Sequence, residues 1–592
     1  MSENKIKITP AKGRPMLNWI GKKPLEYVKG FPAQLIEVFN PLNNSKKIET
    51  PTYEELKDNW QNLLFHGDNK EVLATLLELG FRGKIDLIYI DPPFKSGADY
   101  VRKVELRGIK EIGSLENDEA SVLQQTMYFD IWNNDNYLQF MYERLQLMKE
   151  LLSETGSIYV HLDWHVGHYV KILMDEIFGE ENFRNDIIWA YKWASTTTRT
   201  FAHKHDIILF YTKSDEYTFN IDEVREPYTE EQLKGYKKDE KGYYTTDTSG
   251  KKWYAHPKGQ IPSDVFNIPI ISRSAHERLG FATQKPEVLL ERIIKASSNP
   301  DNLVLDCFCG SGTTLAVAQK LGRRWIGCDI NKGAVQLTSS RLQKIIKDQI
   351  KNNETKYPAF ALYKVNNYDL KLLHTEAIEL AVQHIGIQRT RTDTFFDGTL
   401  GKNLVKIIDF NHPLTLLDLQ LLQDELKKRP DEDRDITIVC LGKELAVDAW
   451  IDEWNKKHPV NKIKVIELRT DKKYGSFLIH KPAEAKVEIK RENNKVFIEI
   501  KDFISPTIIE RLNIDNQLWK VKIADFRAMI DYILIDTDYD GKVFNVVFSD
   551  VPQRKTDLIK GKYELEVNKD KTKIAVKIVD MLGEEVLIVK DI

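Results

Sequence analysis

The chain has 592 residues, of which 42% are hydrophobic and 30% charged, with four cysteines and a formal net charge of −3. This length is too great for one core and predicts three or four domains of ordinary globular composition. The composition excludes a disulfide-stabilised framework, and the near-neutral charge means that any nucleic-acid binding must be local.

The sequence also argues against a membrane or secreted location. Residues 1–15 lack the apolar stretch of a secretory signal, and no run approaches the roughly 18 apolar residues of a membrane span. We therefore expect a cytoplasmic protein with no membrane contact. The cysteines have neither a second C-x-x-C nor a His cluster beside them, so we expect reduced thiols and no metal site; they are Cys307, Cys309, Cys328 and Cys440.

The first 60 residues carry scattered prolines and lysines, which predicts an extended N-terminal arm and not a packed unit. From residue 61 to about 365, apolar runs alternate with amphipathic helical stretches. This alternation is typical of an α/β domain built on a mixed, mainly parallel, doubly wound sheet.

One apolar strand of this domain ends in Asp91-Pro92-Pro93-Phe94. The prolines have no amide hydrogen, so the strand must end there. In an open α/β sheet, ligands bind at the carboxyl edge of the strands. A rigid turn at that edge would hold one carboxylate, the Pro92 carbonyl and one aromatic ring in a fixed arrangement, although an isolated D-P-P also fits an ordinary strand exit.

A second apolar strand, ending in Asp306, leads into Cys307-Phe308-Cys309-Gly310-Ser311-Gly312-Thr313 and a helix. Glycines let the backbone approach a ligand closely, and the start of the helix supplies free amides. The next strand ends at Asp329, whose carboxylate can accept both ribose hydroxyls of a nucleoside. A dinucleotide site is the rival interpretation, but position 315 is Leu where that motif has its third glycine.

Together these motifs resemble those of a known family. Asp91-Pro92-Pro93-Phe94 is similar to the catalytic motif of amino-methyltransferases, and Phe308 to Gly312 resembles their S-adenosylmethionine motif. The catalytic motif comes first in the chain, as in the β class of DNA adenine-N6 and cytosine-N4 methyltransferases, which includes the modification subunits of type III restriction systems. Gly67-Asp68-Asn69 and Thr283-Gln284-Lys285-Pro286 also fit, so that the resemblance covers about residues 60–345.

Two features depart from that family. Its usual tyrosine is Phe94 here, which keeps the ring for stacking and loses only a hydroxyl. Type III modification subunits also carry a long recognition insert soon after the catalytic motif, whereas here the next helix is expected from Tyr137. The broad class is therefore the firmer assignment.

The resemblance implies an S-adenosylmethionine-dependent methyltransferase fold and transfer of a methyl group to the N6 amine of a flipped-out adenine in double-stranded DNA. The two N–H bonds of the amine would donate to the Asp91 carboxylate and the Pro92 carbonyl, Pro93 would stiffen the turn, and Phe94 would stack on the base. The implied cofactor-binding residues are Asp68, Lys285, Asp306, Phe308, Gly310, Gly312, Thr313 and Asp329.

Asp at the first catalytic position favours adenine. The alternatives are a cytosine-N4 methyltransferase, a non-catalytic DNA-binding specificity subunit with the same fold, and an enzyme that methylates RNA or a small heterocycle. The resemblance also implies a prokaryotic, nucleoid-associated protein of a restriction-modification or phage-defence system. A restriction or helicase subunit and a second copy of the chain are then expected as partners.

A target-recognition insert is expected at about residues 215–280. Lysines alternate there with aromatic residues, a composition that suits phosphate contacts and base stacking. The predicted DNA-binding residues are Lys237, Lys238, Lys251, Lys252 and Trp253. A solvated, hairpin-rich insert whose acids cancel much of the charge is the alternative.

Beyond residue 365 the pattern changes. Residues 366–480 predict a small α/β domain in which no glycine turn or acid pair follows the strands, so a scaffolding role is expected. Residues 481–592 predict short, regularly spaced strands and a β-sandwich-like domain. Asp536-x-Asp538-x-Asp540-Gly541 lacks the glutamate of a calcium loop and predicts a hairpin turn.

Overall fold

The computed structural model describes residues 5–11, 13–42, 47–93, 100–107, 122–128, 134–191, 199–272, 275, 277–281, 283–365, 378, 381–382, 385–390, 393, 395–408, 413–468, 482–509, 523, 525–552, 554, 557–567, 569 and 571–592. The chain forms two compact units. One contains residues 1–366 together with 483–592, and the other contains residues 367–482.

The strands of the first unit up to residue 365 are β1 (Ile6–Lys7), β2 (Tyr27–Val28), β3 (Ala33–Phe39), β4 (Asn62–His66), β5 (Ile85–Ile90), β6 (Tyr100–Glu105), β7 (Val122–Tyr128), β8 (Leu152–Leu162), β9 (Phe183–Ala190), β10 (His205–Thr212), β11 (Lys237–Asp239), β12 (Gly242–Thr246), β13 (Lys252–Tyr254), β14 (Val265–Asn267), β15 (Leu303–Asp306), β16 (Arg324–Asp329) and β17 (Phe360–Val365). The helices are α1 (Tyr53–Leu56), α2 (Asn69–Glu78), α3 (Asn134–Leu151), α4 (Gly167–Phe178), α5 (Glu230–Leu233), α6 (Glu287–Ser297), α7 (Thr313–Lys320) and α8 (Lys332–Lys351).

The second unit contains β18 (Gln388–Arg389), β19 (Gly398–Leu400), β20 (Asn403–Ile407), α9 (Leu416–Lys427), β21 (Ile436–Cys440), α10 (Leu445–Lys457) and β22 (Ile463–Glu467). Its strands form one sheet in chain order, and β20, β21 and β22 are parallel. Parallel neighbours require crossover connections, which α9 and α10 supply. The α/β character predicted for this segment is therefore observed.

The remaining strands belong to the first unit. They are β23 (Glu484–Glu492), β24 (Lys495–Ile504), β25 (Ile530–Asp536), β26 (Phe544–Val546), β27 (Phe548–Asp550), β28 (Lys562–Glu566), β29 (Lys573–Asp580) and β30 (Glu585–Asp591). The strand predicted at residues 518–523 falls mostly outside the described residues.

The core of the first unit is a sheet with the strand order β14-β9-β10-β8-β5-β15-β16-β4-β17-β3-β26. From β8 to β17 its neighbouring strands run parallel. Strands buried on both faces are expected to be apolar throughout, and Leu303 to Leu305 are completely buried. The predicted mixed, mainly parallel sheet is confirmed.

The N-terminal residues are not a detached arm, and that prediction is wrong for β3. This strand pairs antiparallel with β17 inside the central sheet, and its Leu35, Val38 and Phe39 are buried. The strand lies between Pro32 and Pro41, which make its surroundings resemble a proline-rich linker. The strand itself is nevertheless mostly apolar, with Leu35, Ile36, Val38 and Phe39 among its seven residues.

Residues 483–592 form two facing sheets, β23-β24-β28 and β27-β25-β29-β30, as in a sandwich. The predicted separation of this segment from the rest of the chain is wrong. Alternate residues of β25 point to opposite sides, so that Ile533 and Ile535 contribute to the sandwich core, whereas Tyr532 and Leu534 pack with residues of the central sheet. Strand β26 also pairs with β3.

The described helices include none that could cross a membrane. Among the described residues there is also no group of three or more His, Cys, Asp or Glu side chains suited to a metal ion. The acids that suggested a calcium loop have other partners: Asp536 accepts hydrogen bonds from two backbone amides, Asp538 pairs with Lys569, and Asp540 pairs with Lys47.

Candidate active site

The two sequence motifs meet at one edge of the central sheet. Strand β15 lies between β5 and β16, parallel to both, with Leu305 opposite Ile88 and Asp306 opposite Gly327. Because the carboxyl ends of parallel strands share an edge, the acids that end these strands come close together. They are Asp91, Asp306 and Asp329.

An open cleft lies at this edge. The residues predicted as functional that line it are Asp91, Pro92, Pro93, Lys285, Asp306, Phe308, Gly310 and Thr313. Lining residues that were not predicted are Tyr89, Phe281, Thr283, Gln284, Leu290, Cys309, Ser311 and Thr314. Phe94 lies outside the described residues.

The Asp91 carboxylate is held at one oxygen only. Its Oδ2 accepts a hydrogen bond from the Lys285 ammonium, and the two side chains are 17% and 9% exposed. Its Oδ1 is buried and has no hydrogen-bond partner among the described residues. A buried acceptor without a partner is costly, so Oδ1 is the atom at which a bound hydrogen-bond donor would be stabilised.

Lys285 was predicted as a cofactor-binding residue, but the structure pairs it with the proposed catalytic acid. It lies just before helix α6, where Pro286 occupies the N-cap position. That position directs its side chain across the cleft to the end of β5. Sequence spacing alone gave no sign of this pairing, since 194 positions separate the two residues.

A buried polar network missed by the sequence analysis lies next to Asp91. The Tyr89 hydroxyl and the His161 Nδ1 are 2.8 Å apart, and His161 Nε2 is 3.1 Å from Asp206 Oδ2. Burial raises the pKa of Tyr89 well above its usual value, and the charge of Asp91 adds to the effect. Burial also acts to raise the pKa of Asp206, but the hydrogen bonds with His161 and Tyr191 and the positive charges of His161 and Lys285 together outweigh it and lower that pKa overall.

The glycine turn is fixed by the acids around it. The amide of Gly310 donates to Asp329 Oδ2 over 2.9 Å, and Asp306 accepts from the Phe308 amide (3.0 Å) and the Thr314 hydroxyl (2.6 Å). Gly312 has a φ of +72°, and a Cβ there would lie 2.6 Å from the Thr338 side chain. Any larger residue would therefore displace the turn.

The carboxyl group of Asp306 lies in an unusual environment. Burial is the main cause that raises its pKa to about 7, and the nearby charges of Asp91 and Asp329 contribute to that rise. Desolvation and like charges both disfavour a carboxylate. The group therefore exchanges its proton near neutral pH.

Three predicted cofactor residues occupy supporting positions outside the cleft lining. Asp68 caps helix α2 by accepting from the Lys70 amide (2.8 Å) and pairs with Arg144 (3.0 Å), and it does not line the cleft. Asp329 accepts hydrogen bonds from the amides of Gly310 and Asn331. Gly312 shapes the turn from behind the cleft.

The five predicted DNA-binding residues belong to a small sheet formed by β11, β12 and β13. Trp253 is 56% exposed, and the Lys251 ammonium lies 4.5 Å from its ring centroid. Lys252 is paired with Asp239 over 2.7 Å. Lys237 and Lys238 lie on β11, opposite Tyr244 and Tyr243 of β12. None of the five lines the cleft.

An acid-proline turn and a glycine turn at one carboxyl edge of a mainly parallel sheet define the methyltransferase class of fold and site. Comparison with known proteins identifies the family within that class. Residues 85–340 match the model of a family described as DNA methylase (N6_N4_Mtase).

Several characterised relatives are similar over the same region. The type II methyltransferase M1.MboII of Moraxella bovis is 36% identical over 210 residues, which cover 34% of this chain and 76% of that protein. The DNA adenine methyltransferase YhdJ of Escherichia coli (strain K12) is 27% identical over 284 residues, covering 47% and 82%. The Mod subunit of the type III restriction-modification enzyme EcoP15I of Escherichia coli is 30% identical over 219 residues, covering 35% and 32%. The chain belongs to the N6/N4 DNA methylase family.

Proposed function

We propose that this family member is a site-specific DNA methyltransferase that methylates the N6 amine of an adenine flipped out of duplex DNA, with S-adenosylmethionine as methyl donor. The observation that carries the proposal is the buried Oδ1 of Asp91, which has no partner among the described residues and belongs to a residue lining the cleft. An amine N–H donated to this atom would satisfy it.

The chain's own groups account for activation of the amine. The lone pair of an exocyclic amine is delocalised into its ring, so the amine is a poor nucleophile. Asp91 Oδ1 accepts one N–H and the Pro92 carbonyl accepts the other, which favours a tetrahedral nitrogen with a localised lone pair. Lys285 holds Oδ2 and keeps the carboxylate oriented. A hydrogen bond to a charged group contributes about 1.5–3 kcal/mol.

The glycine turn and its acids fit a nucleoside-like cofactor. The backbone at Gly310 can approach a ligand closely, Phe308 offers a ring, and the Asp329 carboxylate at the end of the neighbouring strand fixes the turn through the Gly310 amide. When bound, S-adenosylmethionine supplies an electrophilic methyl group attached to a sulfonium. The turn positions that group relative to Asp91, and placing two reactants correctly lowers a barrier by several kcal/mol.

Adenine is the favoured base because the first catalytic position is Asp91, and a similar protein is named as a DNA adenine methyltransferase. The similarity to a Mod subunit suggests a restriction-modification system in the prokaryotic cytoplasm, with a restriction subunit as partner. DNA is the proposed substrate whether the methylated base is adenine or cytosine.

The proposal is tested with Asp91→Asn and, as a matched control, Asp58→Asn at an exposed position. The chain is expressed in a host, and modified bases in the host DNA are mapped by single-molecule sequencing. Wild type and Asp58→Asn are expected to leave N6-methyladenine in one sequence context. Asp91→Asn should lower methyl transfer at least about 100-fold while calorimetry shows unchanged S-adenosylmethionine binding.

Three results would contradict parts of the proposal. Detection of N4-methylcytosine in the host DNA would show that the target base is cytosine and not adenine. Undiminished turnover by Asp91→Asn would remove this carboxylate from the mechanism. Binding of DNA without any methylation by the wild type would instead indicate a specificity subunit.

A further inference from the structure

A group of aromatic residues lies at the same edge of the sheet as Asp91. Strand β8 is the parallel neighbour of β5, with Val160 opposite Ile90, and β10 is the antiparallel neighbour of β8, with Ile207 opposite Leu162. The residues that follow β8 and those that precede β10 therefore leave the sheet beside the catalytic turn. They include Trp164 and His165 on one side and Phe201 and His203 on the other, which we term the edge aromatic cluster.

The edge aromatic cluster has an ordered part and a solvent-exposed part. The Trp164 ring stacks on His165 at a centroid distance of 3.6 Å and on His203 at 4.5 Å, with interplanar angles of 27° and 11°. Asp163 accepts hydrogen bonds from the backbone amide of His165 and is paired with its ring. Trp164 is nevertheless 44% exposed, and Phe201 is 98% exposed.

Such exposure of large apolar rings needs an explanation, because folding alone gains nothing from it. The charges around the cluster limit the choice of occupant. The acids at this edge have partners within the protein, since Asp163 pairs with His165, and Asp206 with His161 and Tyr191. Within the described residues 199–205, the exposed charged or titratable side chains are Arg199, His203 and His205, which are all basic. Aromatic faces set among basic groups match nucleic-acid bases and phosphates.

We propose that the edge aromatic cluster binds the DNA duplex at the position vacated by the target base. Trp164 and Phe201 contact the bases left unstacked by extrusion, and the basic neighbours contact the adjoining phosphates. Extruding a base costs a few kcal/mol of stacking and pairing, and aromatic contacts with the remaining bases offset part of that cost. This inference rests on the proposed function, because it requires DNA and an extruded base.

The test uses the full-length protein with S-adenosylmethionine and a duplex carrying the sequence context found by sequencing, with 2-aminopurine at the target position. Fluorescence of the 2-aminopurine reports extrusion, and titration reports affinity. The variants are Trp164→Ala and Phe201→Ala. The control is Phe219→Ala, which is 43% exposed, much as Trp164 is, but follows the other end of β10.

Each cluster variant is expected to reduce DNA affinity about tenfold, the effect of losing one base stack, and to diminish the rise in 2-aminopurine fluorescence. Affinity for S-adenosylmethionine should stay at the wild-type value, which shows that the fold is intact, and Phe219→Ala should behave as wild type. Wild-type affinity and fluorescence in both cluster variants would overturn the inference. Failure of the wild type itself to bind or methylate DNA would instead overturn the proposed function.

Discussion

The ion pair between Lys285 and Asp91 suggests that the lysine orients the carboxylate, in contrast to the cofactor-binding role predicted from the sequence. We expect Lys285→Met to lower kcat at least about tenfold, because it removes a charged hydrogen bond worth about 1.5–3 kcal/mol and frees the carboxylate to rotate. Affinity for S-adenosylmethionine should change little. Steady-state kinetics and calorimetry measure the two effects separately.

Lys295→Met provides the control for Lys285→Met, since Lys295 lies in the adjoining helix α6 and forms an ordinary surface pair with Glu291. Lys295→Met should leave both kcat and the affinity for S-adenosylmethionine unchanged. If Lys285→Met weakened cofactor binding and left kcat intact, the cofactor role predicted from the sequence would be restored.

Asp306 predicts a pH dependence of stability. Its pKa of about 7 in the folded protein lies above its ordinary value of 3.8, so folding takes up a proton between roughly pH 4 and pH 7. The contribution of this group to the free energy of unfolding therefore decreases as pH rises through that window and stays low above it. Asp306→Asn removes the dependence.

Thermal unfolding of wild type and Asp306→Asn from pH 5 to pH 8 tests this expectation. The unfolding temperature of the variant, relative to that of the wild type, should rise with pH up to about 7 and then level off. Other buried acids titrate equally in both proteins and cancel in the comparison. Parallel curves would show that the carboxyl group stays ionised throughout.

The residues of the candidate active site differ in how clearly the sequence indicated them. Asp91 and the glycine turn were recognisable because each motif is contiguous. The network of Tyr89, His161 and Asp206 was not, because its members come from β5, β8 and β10, and only the strand order makes them neighbours. A tyrosine inside an apolar strand is ordinarily interpreted as core.

Most predicted strands and helices agree with those observed, since their hydrophobic periodicity is strong. The strands predicted before Asp91, Asp306 and Asp329 are β5, β15 and β16, and the helix expected from Tyr137 is α3 (Asn134–Leu151). Strand β3 was missed because prolines flank it. Pairing between strands distant in sequence, as in β3 with β26, leaves no local signal at all.

The small sheet β11–β13 supports a test of DNA binding. We expect Lys238→Ala combined with Lys251→Ala to lower DNA affinity and to reduce the slope of log affinity against log salt by about 2, because about 0.9 counterions are released per phosphate contact. Lys252 is left unchanged because it is paired with Asp239. Measurement is by titration at several salt concentrations.

A double alanine variant of Lys456 and Lys457 in helix α10 serves as the control for the Lys238 and Lys251 double variant. It removes the same charge from exposed positions of the other unit. It should leave the slope unchanged. An equal loss of slope in both double variants would mean that net charge, and not this sheet, determines the salt dependence.

The chain as a whole is not the series of consecutive domains that its composition suggested. One compact unit is assembled from residues 1–366 and 483–592, and the other unit lies between these two segments in the sequence. Lys577 and Glu37, which are 540 positions apart, form a buried ion pair of 2.8 Å. The methyltransferase sheet and the C-terminal sandwich therefore share one core.

This ion pair predicts strong coupling between the ends of the unit. Lys577→Met leaves Glu37 as a buried unpaired charge and should destabilise the unit by about 3–5 kcal/mol, whereas Lys577→Met with Glu37→Leu should recover most of the loss. Denaturant unfolding of both single variants and the double variant gives the coupling energy. Independent, additive effects would indicate that the two segments unfold separately.

The pairing of β26 with β3 bears on how the protein is made. After β17 leaves the ribosome, about 180 residues must follow before β26 can cover the outer edge of β3, which takes roughly 10–40 s at ordinary rates of synthesis. During that interval an exposed strand edge is open to pairing with other nascent chains. Slow translation of residues 367–482 would lengthen this interval, and conditions that favour rapid elongation or chaperone binding should raise the yield of soluble protein.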